Sequence, residues 1–283
     1  MKILIDKIFN ENCLDGMKRL DDNSIDFVCT DLPFNITACD WDKMIDLQAF
    51  WKEVKRILKP QSSAAMFASG KFSYELINSN HDWYKYKWIW VKNKSTCFVH
   101  AKNRPMSRYE EILIFSNGVV NHESLSPNTR MKYNPQGVVE IAPQTRKWKE
   151  DSGVQLRNHR KAGGLTRFNA KNKFGGTYGE RPSHVDIYTS TKTGYPSDVL
   201  YFDTVSNVGR LNATQKPVDL LEYLIRTYTN EGEIVLDATI GSGSTAVACI
   251  NTNRHFIGFE LDKNSYEAAQ KRISEIFEKK GID

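Results

Sequence analysis

Apolar positions in this chain fall into short runs alternating with stretches of helical spacing, regularly at both ends and not at all in the middle. Lys2 to Phe9 predicts a first strand, and Asn10-Glu11-Asn12 opens a short helix with Leu14, Met17 and Leu20 on one face. Ile25 to Thr30 is a buried strand. Leu47, Phe50, Trp51, Val54, Ile57 and Leu58 then keep helical spacing up to Lys59-Pro60, where proline stops the helix. Ser63 to Ala68 predicts a strand, Phe72 to Ile77 a helix, and Tyr86 to Val91 and Glu111 to Phe115 two more strands, the last ending at the turn signal Asn117-Gly118. Beyond the middle, Pro217 begins a helix with Val218, Leu221, Leu224, Ile225 and Tyr228 on one face. Glu233 to Leu236 and His255 to Phe259 are strands, separated by a helix over Ala246 to Ile250 and followed by one over Asn264 to Phe277. Strands alternating with helices at this spacing predict an α/β protein with a doubly wound parallel sheet.

From Val119 to Arg210 the periodicity stops, which divides the chain into 1–118 with 211–283 as one domain and 119–210 as an insertion. Between Asn128 and Arg181 twelve Lys and Arg face only Glu140, Glu150, Asp151 and Glu180. That local excess exceeds the formal +5 of the whole chain, so the remainder is slightly acidic. Tyr133, Trp148, Phe168, Phe174 and Tyr178 are interleaved with the bases, a combination suited to phosphate contact and base stacking. The bases that carry this reading are Arg130, Lys132, Arg146, Lys147, Arg157, Arg160, Arg167, Lys171 and Lys173; a solvated insertion reads the same way. Cys13, Cys29, Cys39, Cys97 and Cys249 are odd in number and widely spaced, which argues against disulfides and against a metal site. No apolar run approaches the length of a membrane span, so a cytoplasmic protein with no membrane partner is expected.

Two strand ends carry chemistry. Ser24 to Thr30 leads into Asp31-Leu32-Pro33-Phe34, which sets an acceptor carboxylate, a rigid turn and a stacking ring at a carboxyl end, where open α/β sheets bind their ligands. On its own this is a proline turn with an acid. Gly241-x-Gly243-x-x-Ala246, with Glu260 further on, fits a nucleotide-binding turn in which glycines let the backbone approach a ligand and the acid holds ribose hydroxyls. Asp237 ahead of that turn would repel a pyrophosphate and attract an ammonium group, favouring the methionine part of S-adenosylmethionine over a nicotinamide cofactor.

Taken together, the two motifs make the chain resemble the amino-group (N6-adenine or N4-cytosine) DNA methyltransferases in their permuted order, with the D/N/S-P-P-Y/F loop near the N-terminus. Thr214-Gln215-Lys216-Pro217 and Asp237-Ala238-Thr239-Ile240-Gly241-Ser242-Gly243-Ser244-Thr245 resemble that family's paired cofactor segments, and Asp31 to Asp42 resembles the phage and prophage members. The resemblance implies a Rossmann-like, mostly parallel seven-stranded sheet, circularly permuted, with its first strand beside the last near Phe256 and a DNA target-recognition insert. It implies catalytic roles for Asp31, Pro33 and Phe34, and S-adenosylmethionine held by Asn12, Asp31, Lys216, Pro217, Asp237, Thr239, Gly241, Gly243, Thr245 and Glu260. Asp31 would take the target amine, Phe34 the flipped base and Asn12 the neighbourhood of the adenine. The partners implied are double-stranded DNA, a second copy of the chain as in several relatives, and a restriction endonuclease in the cell. Leu32 departs from the family's usual proline. No activating base flanks Cys29 or Cys39, so transfer direct to nitrogen is expected, with Asp31 favouring adenine N6 over cytosine N4. The competing class is a nucleic-acid-binding module without activity, whose signature would be loss of Asp31, Phe34 or the glycines.

Overall fold

A computed structural model of the chain describes residues 4–33, 45–120, 129–147, 187–206 and 215–281. In chain order its strands are β1 (Lys7–Phe9), β2 (Ile25–Thr30), β3 (Leu58–Ala68), β4 (Tyr84–Thr96), β5 (Ser107–Ser116), β6 (Val139–Lys147), β7 (Ile187–Thr193), β8 (Val199–Tyr201), β9 (Ile234–Asp237) and β10 (His255–Phe259). The helices are α1 (Cys13–Met17), α2 (Leu47–Ile57), α3 (Lys71–Ser79), α4 (Val218–Tyr228), α5 (Ser244–Asn251) and α6 (Lys263–Lys280).

The helices end where the local chemistry ends them. The Asp46 carboxylate accepts the Gln48 and Ala49 N–H groups at 2.9 and 3.1 Å to start α2. Leu58 and Lys59 then run extended into Pro60, so β3 begins directly after the helix. Asp262 caps α6 by accepting from the Ser265 N–H, and Gly281, with φ of 64°, closes it in the left-handed region.

Eight strands form the main sheet in the order β1-β10-β9-β2-β3-β5-β4-β8. All six residues of β2 are buried, as expected of a strand covered on both faces. Alternate side chains serve different layers. Phe27, Cys29, Ala65 and Phe67 join a core with Leu221 and Tyr228 of α4, Ala248 of α5 and Ile273 of α6. Val28, Ala64 and Met66 join a second core with Met17 of α1, Phe50, Trp51 and Val54 of α2, and Leu76 of α3. Leu32 is buried in this second core, at 2% exposure.

The chain leaves β2 in one direction, through α2 to β3, and leaves β9 in the other, through α5 to β10, while β2 and β9 pair parallel with Val28 opposite Leu236. The order therefore reverses between these two strands, and their carboxyl ends flank the crevice where such sheets bind ligands. β1 lies beside β10, with Ile8 opposite Gly258, as the resemblance implied.

Four details differ from what the sequence predicts. The sheet has eight strands, because Val199–Tyr201 pairs with Ile89–Val91 at the edge. It is mostly parallel, but β5 runs antiparallel to both β3 and β4. The compact units divide at Gly137 and Tyr195, since Lys132 N–H bonds the Gln61 carbonyl, Asn134 N–H bonds the Thr227 carbonyl, and β8 belongs to the main sheet. The smaller unit, Gly137–Tyr195, contains the antiparallel pair β6 and β7, with Val139 opposite Thr193. The first strand is shorter than Lys2 to Phe9, because Asp6 adopts a positive φ of 58° and breaks the extended run.

At the amino edge of the main sheet, Asp26 is 2% exposed and accepts from Lys59 Nζ at 2.8 and 2.7 Å and from the Ile234 N–H at 3.1 Å. It fastens β2 to β9 from below. Replacing Asp26 by alanine leaves that N–H and Lys59 without their acceptor and should lower stability by about 3 kcal/mol, measured by urea unfolding. A change under about 0.5 kcal/mol, the level of a surface substitution, would show that the fastening is not needed.

Candidate active site

Thr239 joins the two strand ends. Its N–H bonds Asp237 Oδ1 at 3.1 Å, and its hydroxyl bonds the Asp31 carbonyl at 3.0 Å and lies 2.9 Å from the Thr30 hydroxyl. Thr245, in the first turn of α5, donates its hydroxyl to Asp237 Oδ2 at 2.5 Å. Asp237 is 5% exposed, and burial pushes its carboxyl up to about 6, against the downward pull of Thr245, Thr239 and Thr30. These strand ends open onto a cavity of about 460 Å³, lined in part by Asn12, Asp31, Asp237, Gly241 and Glu260.

The turn after β9 is built for close approach. Gly241 (φ 52°) and Gly243 (φ 75°) both occupy the left-handed region. The Gly241 N–H donates to Glu260 Oε2 at 2.9 Å, and the Asp262 N–H donates to Oε1 at 2.8 Å. Each oxygen keeps a further lone pair. Burial raises the Glu260 carboxyl, opposed by these backbone donors. Asn12 caps α1, accepting the Leu14 N–H at 2.8 Å, and also borders the cavity.

Most of the residues expected to hold a cofactor meet here: Asn12, Asp31, Lys216, Asp237, Thr239, Gly241, Thr245 and Glu260 all line one cavity, as does Pro33. Two do not. Gly243 caps α5 and faces α6, where an added Cβ would sit 3.3 Å from the Ala269 Cβ, so its position is one of conformation and packing. Pro217 caps α4 and lies outside the lining. Lys216 lines the cavity, but its ammonium is committed to the Asp31 carboxylate.

That ion pair belongs to a cluster whose other members were not foreseen. Because β5 is antiparallel, its Glu110 arrives at the carboxyl edge, where it pairs with Lys92 of β4 and stands 3.4 Å from Lys216 Nζ. The Lys216 ammonium also lies 4.9 Å from the centroid of the Phe67 ring. Burial raises the Asp31 carboxyl, with Lys216 opposing. At Glu110 burial alone would raise the carboxyl too, but Lys216 and Lys92 outweigh it and hold it low. Asp31 Oδ2 takes the Lys216 bond, while Asp31 Oδ1 is buried and has no hydrogen-bond partner among the described residues.

Cys29 also lines the cavity, but burial drives its thiol well above its ordinary value, so it is no thiolate nucleophile. Phe34, Arg157, Arg160, Arg167, Lys171 and Lys173 lie outside the described residues, and of Arg146 and Lys147 only the backbone of β6 is described. Lys132 pairs with Glu233 and lies 3.9 Å from Asp26 at the amino edge. Five residues of extended chain, about 16 Å, separate that edge from Asp31. Arg130 lies at the same end, bridged to Val119 after β5. Among the described residues, exposed basic side chains at the carboxyl edge include Lys102 and Arg104 of the β4–β5 connection, which follow Phe98 and Val99, 79% and 88% exposed.

The site thus sets an acid beside a glycine turn, a second acid on the next strand and a recessed carboxylate across the crevice at a parallel-sheet switch point. The chain matches the family model described as DNA methylase, of the N6/N4 methyltransferases, over residues 25–271. It belongs to that family. It is 25% identical over 285 residues to the Type II methyltransferase M.HpaI of Haemophilus parainfluenzae, covering 96% of this chain and 75% of that one. Among solved structures, the M1.HpyAVI complex with S-adenosylmethionine superposes with a TM-score of 0.55 at 20% identity, over 94% of this chain and 98% of that one. The PvuII DNA methyltransferase, cytosine-N4-specific, gives 0.59 at 13% identity, over 96% and 91%.

Proposed function

We propose that the protein is a site-specific DNA methyltransferase acting on the N6 amine of adenine in duplex DNA. The observation that carries the acceptor chemistry is Asp31 Oδ1, buried without a hydrogen-bond partner among the described residues at the mouth of the cofactor cavity. An exocyclic N–H brought to that oxygen would satisfy it and turn the nitrogen lone pair away from the base plane. S-adenosylmethionine, when bound, supplies the electrophilic methyl group. Asp237 would face the ammonium of its methionine part, Glu260 would offer lone pairs to ribose hydroxyls, and Gly241 would allow the backbone close to the ligand. Most of the acceleration comes from this positioning. The base must leave the helix to reach so recessed an acid, at a cost of a few kcal/mol.

Duplex DNA as the substrate is supported by the family and by the basic Lys102 and Arg104 at the carboxyl edge, and the inserted unit with its basic flanks serves target recognition. The chain order, acceptor loop first and glycine turn last, fits the permuted arrangement. The name of M.HpaI as a Type II methyltransferase supports a restriction endonuclease as the cellular partner. Asp at position 31 favours adenine, whereas the likeness to a cytosine-N4-specific enzyme keeps cytosine N4 as the second reading. Nucleosides from DNA incubated with enzyme and S-adenosylmethionine, separated by mass spectrometry, are expected to contain N6-methyladenine. N4-methylcytosine alone would transfer the proposal to the second reading.

A further inference from the structure

The ion pairs around Asp31 form a chain: Lys92 to Glu110, Glu110 to Lys216, Lys216 to Asp31. Two strands, the residue that follows β2 and the segment before α4 contribute one residue each, and each side chain is no more than 23% exposed. The chain ends asymmetrically. Lys216 bonds one Asp31 oxygen, Oδ2, and leaves Oδ1 buried without a partner among the described residues. An ammonium carries three donors on a flexible stem, and against a lone carboxylate it could as well approach the other oxygen. Glu110 Oε2, 3.4 Å from Lys216 Nζ and without a formed hydrogen bond, attracts the same ammonium and so restrains it.

We propose that Glu110, held by Lys92, is a positioning residue for methyl transfer: through Lys216 it commits Asp31 Oδ2 and keeps Oδ1 for the target amine. Glu110 touches neither substrate. It acts by restricting Lys216, so its loss should fall on turnover and not on binding. This rests on the reading of Asp31 as the amine acceptor.

The charges facing Asp31 supply a second readout. They are Lys216, Glu110 of β5, Lys92 of β4 and Asp237 of β9. Glu110 pushes the Asp31 carboxyl up and Lys92 pulls it down. Removing the charge of Glu110 therefore lets Asp31 stay ionised to lower pH, whereas removing Lys92 makes it protonate sooner.

The test measures transfer of labelled methyl from S-adenosylmethionine to unmethylated genomic DNA across pH, at saturating cofactor. Glu110→Gln should lower kcat by about 10²-fold, the scale of a misplacement near 1 Å, with KM for DNA and cofactor changed less than about threefold. Its acid limb should move to lower pH, that of Lys92→Gln to higher pH, and Glu110→Asp should recover part of the lost turnover. Unmoved limbs, limbs moving the same way, or an unchanged kcat in Glu110→Gln would overturn the proposal. If Glu110→Gln does not fold, Lys92→Gln decides by itself: an upward limb supports the proposal and an unmoved one refutes it. An inactive wild-type enzyme would instead sink the reading of function on which the proposal stands.

Discussion

Asp31→Ala is expected to abolish methyl transfer, lowering the rate by about 10³-fold or more, with the protein still folded and S-adenosylmethionine still bound. The loss of rate follows from removing the only buried oxygen at the cavity mouth that lacks a partner among the described residues. The persistence of the fold follows from Glu110: with Asp31 gone, Lys216 still has a carboxylate 3.4 Å away, so no buried charge is orphaned. Cofactor binding persists because Asp237, Thr239, Gly241 and Glu260 form their own network. Labelled-methyl transfer beside calorimetric titration of the cofactor separates the two effects. Near-normal turnover in the variant would remove Asp31 from the chemistry.

The second large effect concerns Asp237. Its folded carboxyl, raised by burial to about 6 from 3.8, retains a proton where the unfolded chain has lost it. Stability without cofactor therefore falls as pH rises from about 4 to about 6, and above that window the ionised group lowers it by about 3 kcal/mol. An opposite charge on a bound ligand offsets that penalty, so affinity for S-adenosylmethionine should weaken as pH falls through about 6. Asp237→Asn removes that ionisation, so stability without cofactor should no longer fall between about pH 4 and about 6. It should also weaken cofactor binding by about 10²-fold and flatten its pH dependence. Thermal scans and calorimetric titrations at pH 5, 6 and 8 check both. A variant as tight-binding as the wild type would take Asp237 out of the methionine site.

These two acids were legible in the sequence because each sits at the end of a short apolar run next to its own turn, and local pattern is enough to place a strand end. Glu260 and the glycine turn were legible for the same reason. Glu110 and Lys92 were not, because their partners are distant in sequence and their place depends on the direction of β5. A signal was present: the ten residues between Thr96 and Ser107 show no helical spacing, and a parallel crossover needs a dozen or more, usually with a helix. Taking that connection as a hairpin turns β5 around and brings Glu110 to the carboxyl edge. Lys132 went the other way. Counted among the bases of a nucleic-acid surface, it serves Asp26 and Glu233 beneath the sheet, since a charge total does not say which bases already have acids.

Leu32 gives the acceptor loop an unusual tie to the interior. The residue next to Asp31 packs in the same core as Met17, Trp51 and Leu236. Local opening of this part of the loop would have to expose that core, so it has no low-energy route separate from opening the domain. Loss of this part of the loop and unfolding of the main sheet should therefore coincide on heating.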